Sequence, residues 1–245
     1  MTDLLGVPVV PWSEWWPSFC RDYGNGSATD AQHVTIVGPT GTGKSTLAMQ
    51  IASRRRWVAA LVAKPRDDHM KRMLRAGGFV RAECLPVPEA GRPRVFLWPK
   101  VPSLDSFTGI QRGVFRDAFD AAYRAGVWTL LADEAHHLCE RLQLADAVKL
   151  TLQMGRSNGT GLILCAQRPA WLPLDAFSAP RHLIIFGTND SRDLQRLGGL
   201  NGADDKLVRQ VVGKLGRGFQ FLHVDAHTGN MRISRFDKSP GKVPR

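Results

Sequence analysis

The stretch "HVTIVGPTGTGKST", residues 33–46, decides the fold. Its opening, "HVTIV", is a short, largely apolar run of the length of a buried strand, and "STLAMQIASRR" (45–55) carries apolar residues at helical intervals. Between them, Gly38-Pro39-Thr40-Gly41-Thr42-Gly43-Lys44-Ser45 fits G-x-x-x-x-G-K-[ST] in a strand–turn–helix setting. The chemistry requires these residue types. Glycines let backbone N–H groups converge on phosphate oxygens with no Cβ in the way, and the helix that starts there presents its positive end. Lys44 is placed to neutralise β- and γ-phosphates, and the Ser45 hydroxyl to meet Mg²⁺. The candidate nucleotide-binding residues are therefore Gly38, Pro39, Thr40, Gly41, Thr42, Gly43, Lys44, Ser45 and Thr46, with ATP and Mg²⁺ as the expected cofactors.

A second apolar run, "VWTLLADE" (127–134), supplies the other half of such a site. Asp133 at its end is the expected second metal-side residue, beside Ser45. Glu134 follows, where a carboxylate could orient and deprotonate an attacking water. Kinases that pass phosphate to a small-molecule hydroxyl must avoid water, so a carboxylate here favours hydrolysis coupled to motion. The letters Asp133-Glu134-Ala135-His136 also spell the DEAH label of two-lobed helicases. Only 111 residues follow Glu134, short for a second complete lobe, so a helicase is not expected. His136 and His137 then read as residues at the start of a helix, for packing or surface contact or for a link from the γ-phosphate to a nucleic-acid site.

Outward from these two runs, strands and helices alternate. "WVAALVAK" (57–64), "RVFLWP" (94–99), "GLILCAQ" (161–167) and "RHLIIFG" (181–187) read as further strands. Helical spacing marks 68–76, 106–126, "LADAVKLTLQMGR" (144–156) and "SRDLQRLGG" (191–199). "FQFLHV" and "MRISRF" close the pattern as a pair joined by a turn at 227–230. Such alternation implies α/β architecture: a single RecA-like (ASCE-type) P-loop NTPase domain, its mostly parallel sheet covered by helices on both faces. The expected divisions are an aromatic, Pro-rich lead-in over 1–31, the ATPase domain over 32–236 and a basic tail over 237–245. Trp12, Trp15 and Trp16 in the lead-in read as packing residues, with base stacking as the alternative.

Thirty-three Lys and Arg against 22 Asp and Glu give a net charge of +11 and a pI near 10.1. Such an excess favours a polyanionic partner, and nucleic acid is the commonest. The densest basic run spans 54–81: Arg54, Arg55, Arg56, Lys64, Arg66, Lys71, Arg72, Arg75 and Arg81. Four dispersed cysteines, Cys20, Cys84, Cys139 and Cys165, form no C-x-x-C pair and read as scattered core thiols of a reducing compartment. No apolar run approaches the ~20 residues that span a bilayer, so a cytoplasmic protein without membrane insertion is expected.

The stretch "GRSNGTGLILCAQRPAWLP" (155–173) resembles the FtsK–HerA superfamily of DNA-pumping ATPases, whose pattern of arginine, glycine, apolar strand and T-Q-R-P-like ending falls here on Arg156, Gly159, "LILCA", Gln167, Arg168 and Pro169. The likeness continues through "APRHLIIFGTNDSRDLQRLGG" and covers roughly residues 33–225. "LVAKPRDD" (61–68) is only faintly similar to the family's D-P-K, since Ala63 replaces the acid. The resemblance implies a homo-oligomeric ring, usually a hexamer, around double-stranded DNA. In it Gln167 would touch the γ-phosphate and the lytic water, and an arginine supplied by the neighbouring subunit would complete the site. Arg156 is the first candidate for that arginine, with Arg181 and Arg192 as rivals. The short segment before Gly38 leaves no room for HerA's N-terminal barrel. The layout is thus most similar to barrel-less viral genome-packaging ATPases, which implies a capsid or portal protein as partner and host cytoplasm or a capsid vertex as location. The alternative is a phage or plasmid assembly or export ATPase acting on protein, like the zonula-occludens-toxin type.

Overall fold

A computed structural model describes residues 3–24, 31–88, 93–100, 103–197, 204–216 and 218–236. Residues 25–30 of the lead-in, the end of "SRDLQRLGG" and the basic tail lie outside these residues. The chain opens with a short hairpin, β1 (Asp3–Leu4) and β2 (Val7–Pro8), followed by helix α1 (Trp12–Tyr23). Then come β3 (His33–Val37), α2 (Lys44–Ala52), β4 (Val58–Leu61), α3 (Asp68–Ala76), β5 (Val80–Ala82), β6 (Arg94–Leu97) and α4 (Leu104–Ala125). The second half runs β7 (Thr129–Ala132), α5 (Ala145–Met154), β8 (Gly161–Ala166), α6 (Asp175–Ser178), β9 (His182–Phe186), α7 (Ser191–Arg196), α8 (Asp205–Lys214), β10 (Gln220–Asp225) and β11 (Asn230–Arg235).

Nine strands form one sheet in the order β11-β10-β9-β3-β8-β7-β4-β6-β5. The run from β9 to β5 is parallel, and β10 and β11 add an antiparallel hairpin at one edge. The order places β8 between the strand that feeds the phosphate loop and the strand that ends before Asp133. Both faces are covered, which is why the central strands read as unbroken apolar runs. Leu130, Ala132, Leu162 and Leu164 face a layer built from Phe115 and Phe119 of α4, Val148 and Leu152 of α5 and Val208 of α8. Leu131, Ile163 and Cys165 face the opposite layer, with Phe19 of α1, Leu47 and Ile51 of α2 and Leu74 of α3.

Two sequence readings change. β5 was not expected: it is a three-residue edge strand, largely exposed, with no apolar pattern to announce it. The cysteines are not uniformly core residues, for Cys84 is exposed while Cys139 and Cys165 are buried. The lead-in tryptophans lie in a regular helix. Trp12 stacks on Trp16 at 5.3 Å, and Trp15 is fully buried. The Trp15 indole donates to His223 Nδ1 at 3.2 Å, and an indole can only donate. That fixes the direction of the rest of the chain: His223 Nε2 donates to His182 Nδ1 at 3.2 Å, and His182 Nε2 to Gln32 Oε1 at 2.9 Å. Both imidazoles are thus held neutral in a buried line from α1 to the start of β3. Among the described residues, no helix is long and apolar enough to cross a membrane.

Candidate nucleotide site

The phosphate loop leaves the C-terminal end of β3 and is tied to its neighbour strand by Gly38 N–H donating to the Ala166 carbonyl at 3.1 Å. Gly38 has φ +151, and a Cβ there would stand 2.5 Å from Phe186 Cβ on β9. Gly43, at φ +92, turns the chain into α2 with Phe219 and Phe236 close behind it. Both positions need glycine for backbone and for space. Lys44 is 7% exposed, and its ammonium donates to the Pro39 carbonyl across the loop at 2.7 Å. Burial lowers its pKa, partly offset by negative charge from Asp133 and Glu134.

Asp133 and Glu134 follow β7 at the same edge of the sheet. The Ser45 hydroxyl hydrogen-bonds the Asp133 carboxyl, whose pKa burial raises, aided by the charge of Glu134. A carboxylate and a hydroxyl side by side, with desolvation working against the anion, is an oxygen donor set that fits a hard divalent cation. Ser45 and Asp133 are the residues that could hold such an ion.

Two side chains reach the other carboxylate, and a third joins through one of them. Lys64 Nζ lies 2.7 Å from Glu134 Oε1. Gln167, one residue past β8, donates Nε2 to the same oxygen at 3.5 Å, the outer limit of a hydrogen bond. Thr40 of the phosphate loop donates to Gln167 Oε1 at 3.1 Å. The loop, the end of β8 and the end of β7 are thereby joined side chain to side chain. Burial alone would lower the Lys64 pKa, but its hydrogen bond to Glu134, with the charges of Glu134, Asp133 and Asp67, raises it overall. Lys64 was not among the expected site residues. The sequence marks it only as a member of the basic run at 54–81 and of the "LVAKPRDD" stretch at the end of β4. The trough these residues enclose measures about 250 Å³, and α3 forms one wall through His69, Met70 and Met73.

The arginines lie elsewhere. Arg156 precedes β8 and is exposed, beside His227 at 3.2 Å. A six-residue parallel strand, about 20 Å long, separates it from the phosphate-loop edge of its own sheet. Arg181 stands at that same far edge, before β9, in a cleft of about 700 Å³ that Arg156 also lines. Arg181 is engaged within the subunit, ion-paired to Asp225 at 3.1 Å and donating to the Asp22 carbonyl at 3.2 Å. Arg192 is exposed in the first turn of α7, on the phosphate-loop side of β9. Arg168 ties the end of β8 to the start of α7, 2.8 Å from Asp190 and 2.9 Å from the buried Asp193. Of the two histidines, His136 packs against Trp171 at 4.5 Å. His137 contacts Gln111 Oε1 at 2.9 Å, and Gln111 in turn donates to the carbonyl of Ala63, the residue before Lys64.

No protein-family model and no curated protein sequence matches this chain. Solved structures do. The genome-packaging NTPase B204 of Sulfolobus turreted icosahedral virus 2, in complex with sulfate, superposes with a TM-score of 0.60 at 17% identity, covering 83% of this chain and 95% of that one. VirB4 of Thermoanaerobacter pseudethanolicus gives 0.64 at 13% identity, covering 85% and 90%. The fold is the mixed α/β, RecA-like P-loop fold of these neighbours. A larger chain, the cytoplasmic domain of the Type VII secretion ATPase EccC from Thermomonospora curvata, gives 0.53 at 15% identity, covering 87% of this chain and 26% of that one. In the present chain, the phosphate loop, Asp133, Glu134 and Gln167 share one edge of the sheet, and Arg156 and Arg181 the other.

Proposed function

We propose that the chain is an ATPase of the viral genome-packaging type that drives double-stranded DNA through a hexameric ring of its own copies. What supports this most is one convergence: Thr40, Gln167, Glu134 and Lys64 form a connected line at the mouth of the phosphate loop. In this reading Lys44 holds the β- and γ-phosphates, and Asp133 with Ser45 holds Mg²⁺. Glu134 takes the proton of the attacking water, and Gln167 reports the state of the γ-phosphate along β8. Arg156, remote from its own loop, serves the neighbour's nucleotide. An arginine supplied in trans contributes ~10³–10⁵ in rate, so an isolated subunit is a slow ATPase and assembly switches it on.

The partner is argued from charge and likeness. A net charge of +11 suits a duplex that carries one negative charge per ~1.7 Å, and the similar B204 of Sulfolobus turreted icosahedral virus is a DNA-packaging ATPase. A capsid or portal protein would then receive the motor. The likeness to a secretion ATPase favours a second reading, an assembly or export ATPase acting on protein. Measuring ATP turnover with and without linear duplex DNA separates the two. DNA transport requires stimulation that fades steeply between about 50 and 200 mM salt and is absent in Glu134→Gln; a rate indifferent to DNA at every salt concentration favours the protein substrate.

A further inference from the structure

The basic run at 54–81 does not form one surface. Arg55 is 3% exposed, stacked over Tyr23 at 4.1 Å and donating to the Tyr23 carbonyl at 2.6 Å. Arg56 leans over Trp57, and Lys64 belongs to the nucleotide site. Four others, Arg66, Lys71, Arg75 and Arg81, gather at the β5 edge of the sheet. Arg66 from the loop after β4, Lys71 and Arg75 from α3, Arg81 from β5 and Lys100 from beyond β6 line one groove of about 560 Å³, over Trp98. Two carboxylates share it, Asp67 and Asp68. Asp67 is occupied in capping α3, accepting from the Met70 amide at 2.8 Å. Among the described residues none of the five cations forms a salt bridge. Five cations against two carboxylates leave the groove net positive, and a polyanion laid along it relieves the repulsion among the unpaired cations.

The groove and the nucleotide trough share a wall. α3 turns Met70 and Met73 toward the trough and Lys71 and Arg75 toward the groove, and Asp67 borders both. Trp98 makes the second link. Its indole donates to the Lys64 carbonyl at 2.8 Å, and its own carbonyl accepts from the Arg81 guanidinium. Lys64 in turn grips Glu134.

We propose that this groove holds the phosphate backbone of the transported duplex, and that its occupation draws Lys64 off Glu134 through Trp98 and α3. The proposal rests on the DNA-transport reading and adds to it the contact surface and the route of regulation. Charged donors without an Asn or Gln among the lining residues suit sequence-independent backbone contact. With Lys64 in place, the carboxylate that must accept the water's proton is already engaged. With duplex in the groove it becomes available.

The test uses the full chain, a fluorescein-labelled linear duplex and anisotropy across salt, with ATP turnover measured in parallel. Lys71 and Arg75 are exposed, so the double variant Lys71→Ala/Arg75→Ala is expected to fold; it should bind more weakly, with the slope of log affinity against log salt shallower by about 2. Trp98→Phe keeps the ring and loses the bond to Lys64; it should bind duplex within about twofold of the natural chain while the ratio of DNA-stimulated to DNA-free turnover falls toward one. An unchanged salt slope in the double variant overturns the groove, and undiminished stimulation in Trp98→Phe overturns the relay. If the double variant instead loses polyglutamate binding but keeps its duplex affinity, the groove serves an acidic protein and the proposal is wrong. A natural chain that binds no duplex at all defeats the DNA-transport reading itself.

Discussion

Lys64 Nζ and Glu134 Oε1, 2.7 Å apart, form the shortest ion pair among the described residues, and it joins the end of β4 to the end of β7 across adjacent parallel strands. In the proposed mechanism the pair holds the side chain that activates water. Lys64→Met removes the grip without adding charge. DNA-free turnover should rise by up to about tenfold, equivalent to about 1.4 kcal/mol of barrier, and further stimulation by DNA should shrink. A steady-state assay at saturating ATP reads both quantities.

Glu134→Gln keeps the shape of that side chain and removes the proton acceptor. Turnover should drop by about 10²–10⁴-fold, the usual contribution of a positioned base, with ATP binding retained within a few-fold. Isothermal titration with a non-hydrolysable analogue, beside the turnover assay, distinguishes lost chemistry from lost binding.

Gly38→Ala tests the loop's packing. The added methyl carbon meets Phe186 Cβ at 2.5 Å, and the residue's φ of +151 is one that side chains disfavour. Overpacking of this kind costs ~1–3 kcal/mol, so the midpoint of chemical denaturation should fall with little change in slope. Gly41, with nothing near its Cβ position, lacks that steric conflict though it shares a positive φ of +83.

Acid should unfold the chain early. Burial lowers the pKa of His33 to about 4, that of His223 to about 4 and that of His182 well below its ordinary value. These histidines stay neutral in the fold but take protons in the unfolded chain below about pH 6.5. Their contribution is therefore complete above pH 6.5 and lost as pH falls toward 4, by up to about 1.4 kcal/mol per pH unit for each group. Denaturant titrations at pH 7.5, 6 and 5 measure the trend, and His223→Gln should flatten it.

Much of this arrangement is legible in the chain itself, for a local reason. A phosphate loop is one continuous turn between a strand and a helix, and residues 33–52 carry every part of it. Asp133, Glu134 and Gln167 are readable because each ends an apolar run, and parallel strands end at one edge. Lys64 is different. Its meaning depends on β4 lying beside β7, a pairing between segments some seventy residues apart that no local pattern announces. Arg55 belongs to the same basic run as Arg75, yet one is buried against Tyr23 and the other lines a groove. Charge along the chain gives the total, and tertiary packing alone decides which charges meet solvent. Arg181 fails as a free arginine for the same reason, since Asp225, its partner, comes from a strand forty-four positions away.

Arg156 stands a full strand length from the phosphate loop of its own subunit, so hydrolysis shared across a seam is the central claim. Mixing two inactive variants tests it most directly. Arg156→Ala keeps its Glu134, and Glu134→Gln keeps its Arg156, so a seam formed between them holds one complete site. Turnover in the mixture should recover to well above the sum of the two variants alone, in the presence of linear duplex DNA. A mixture as inactive as its components, or an Arg156→Ala chain with full turnover alone, contradicts the account.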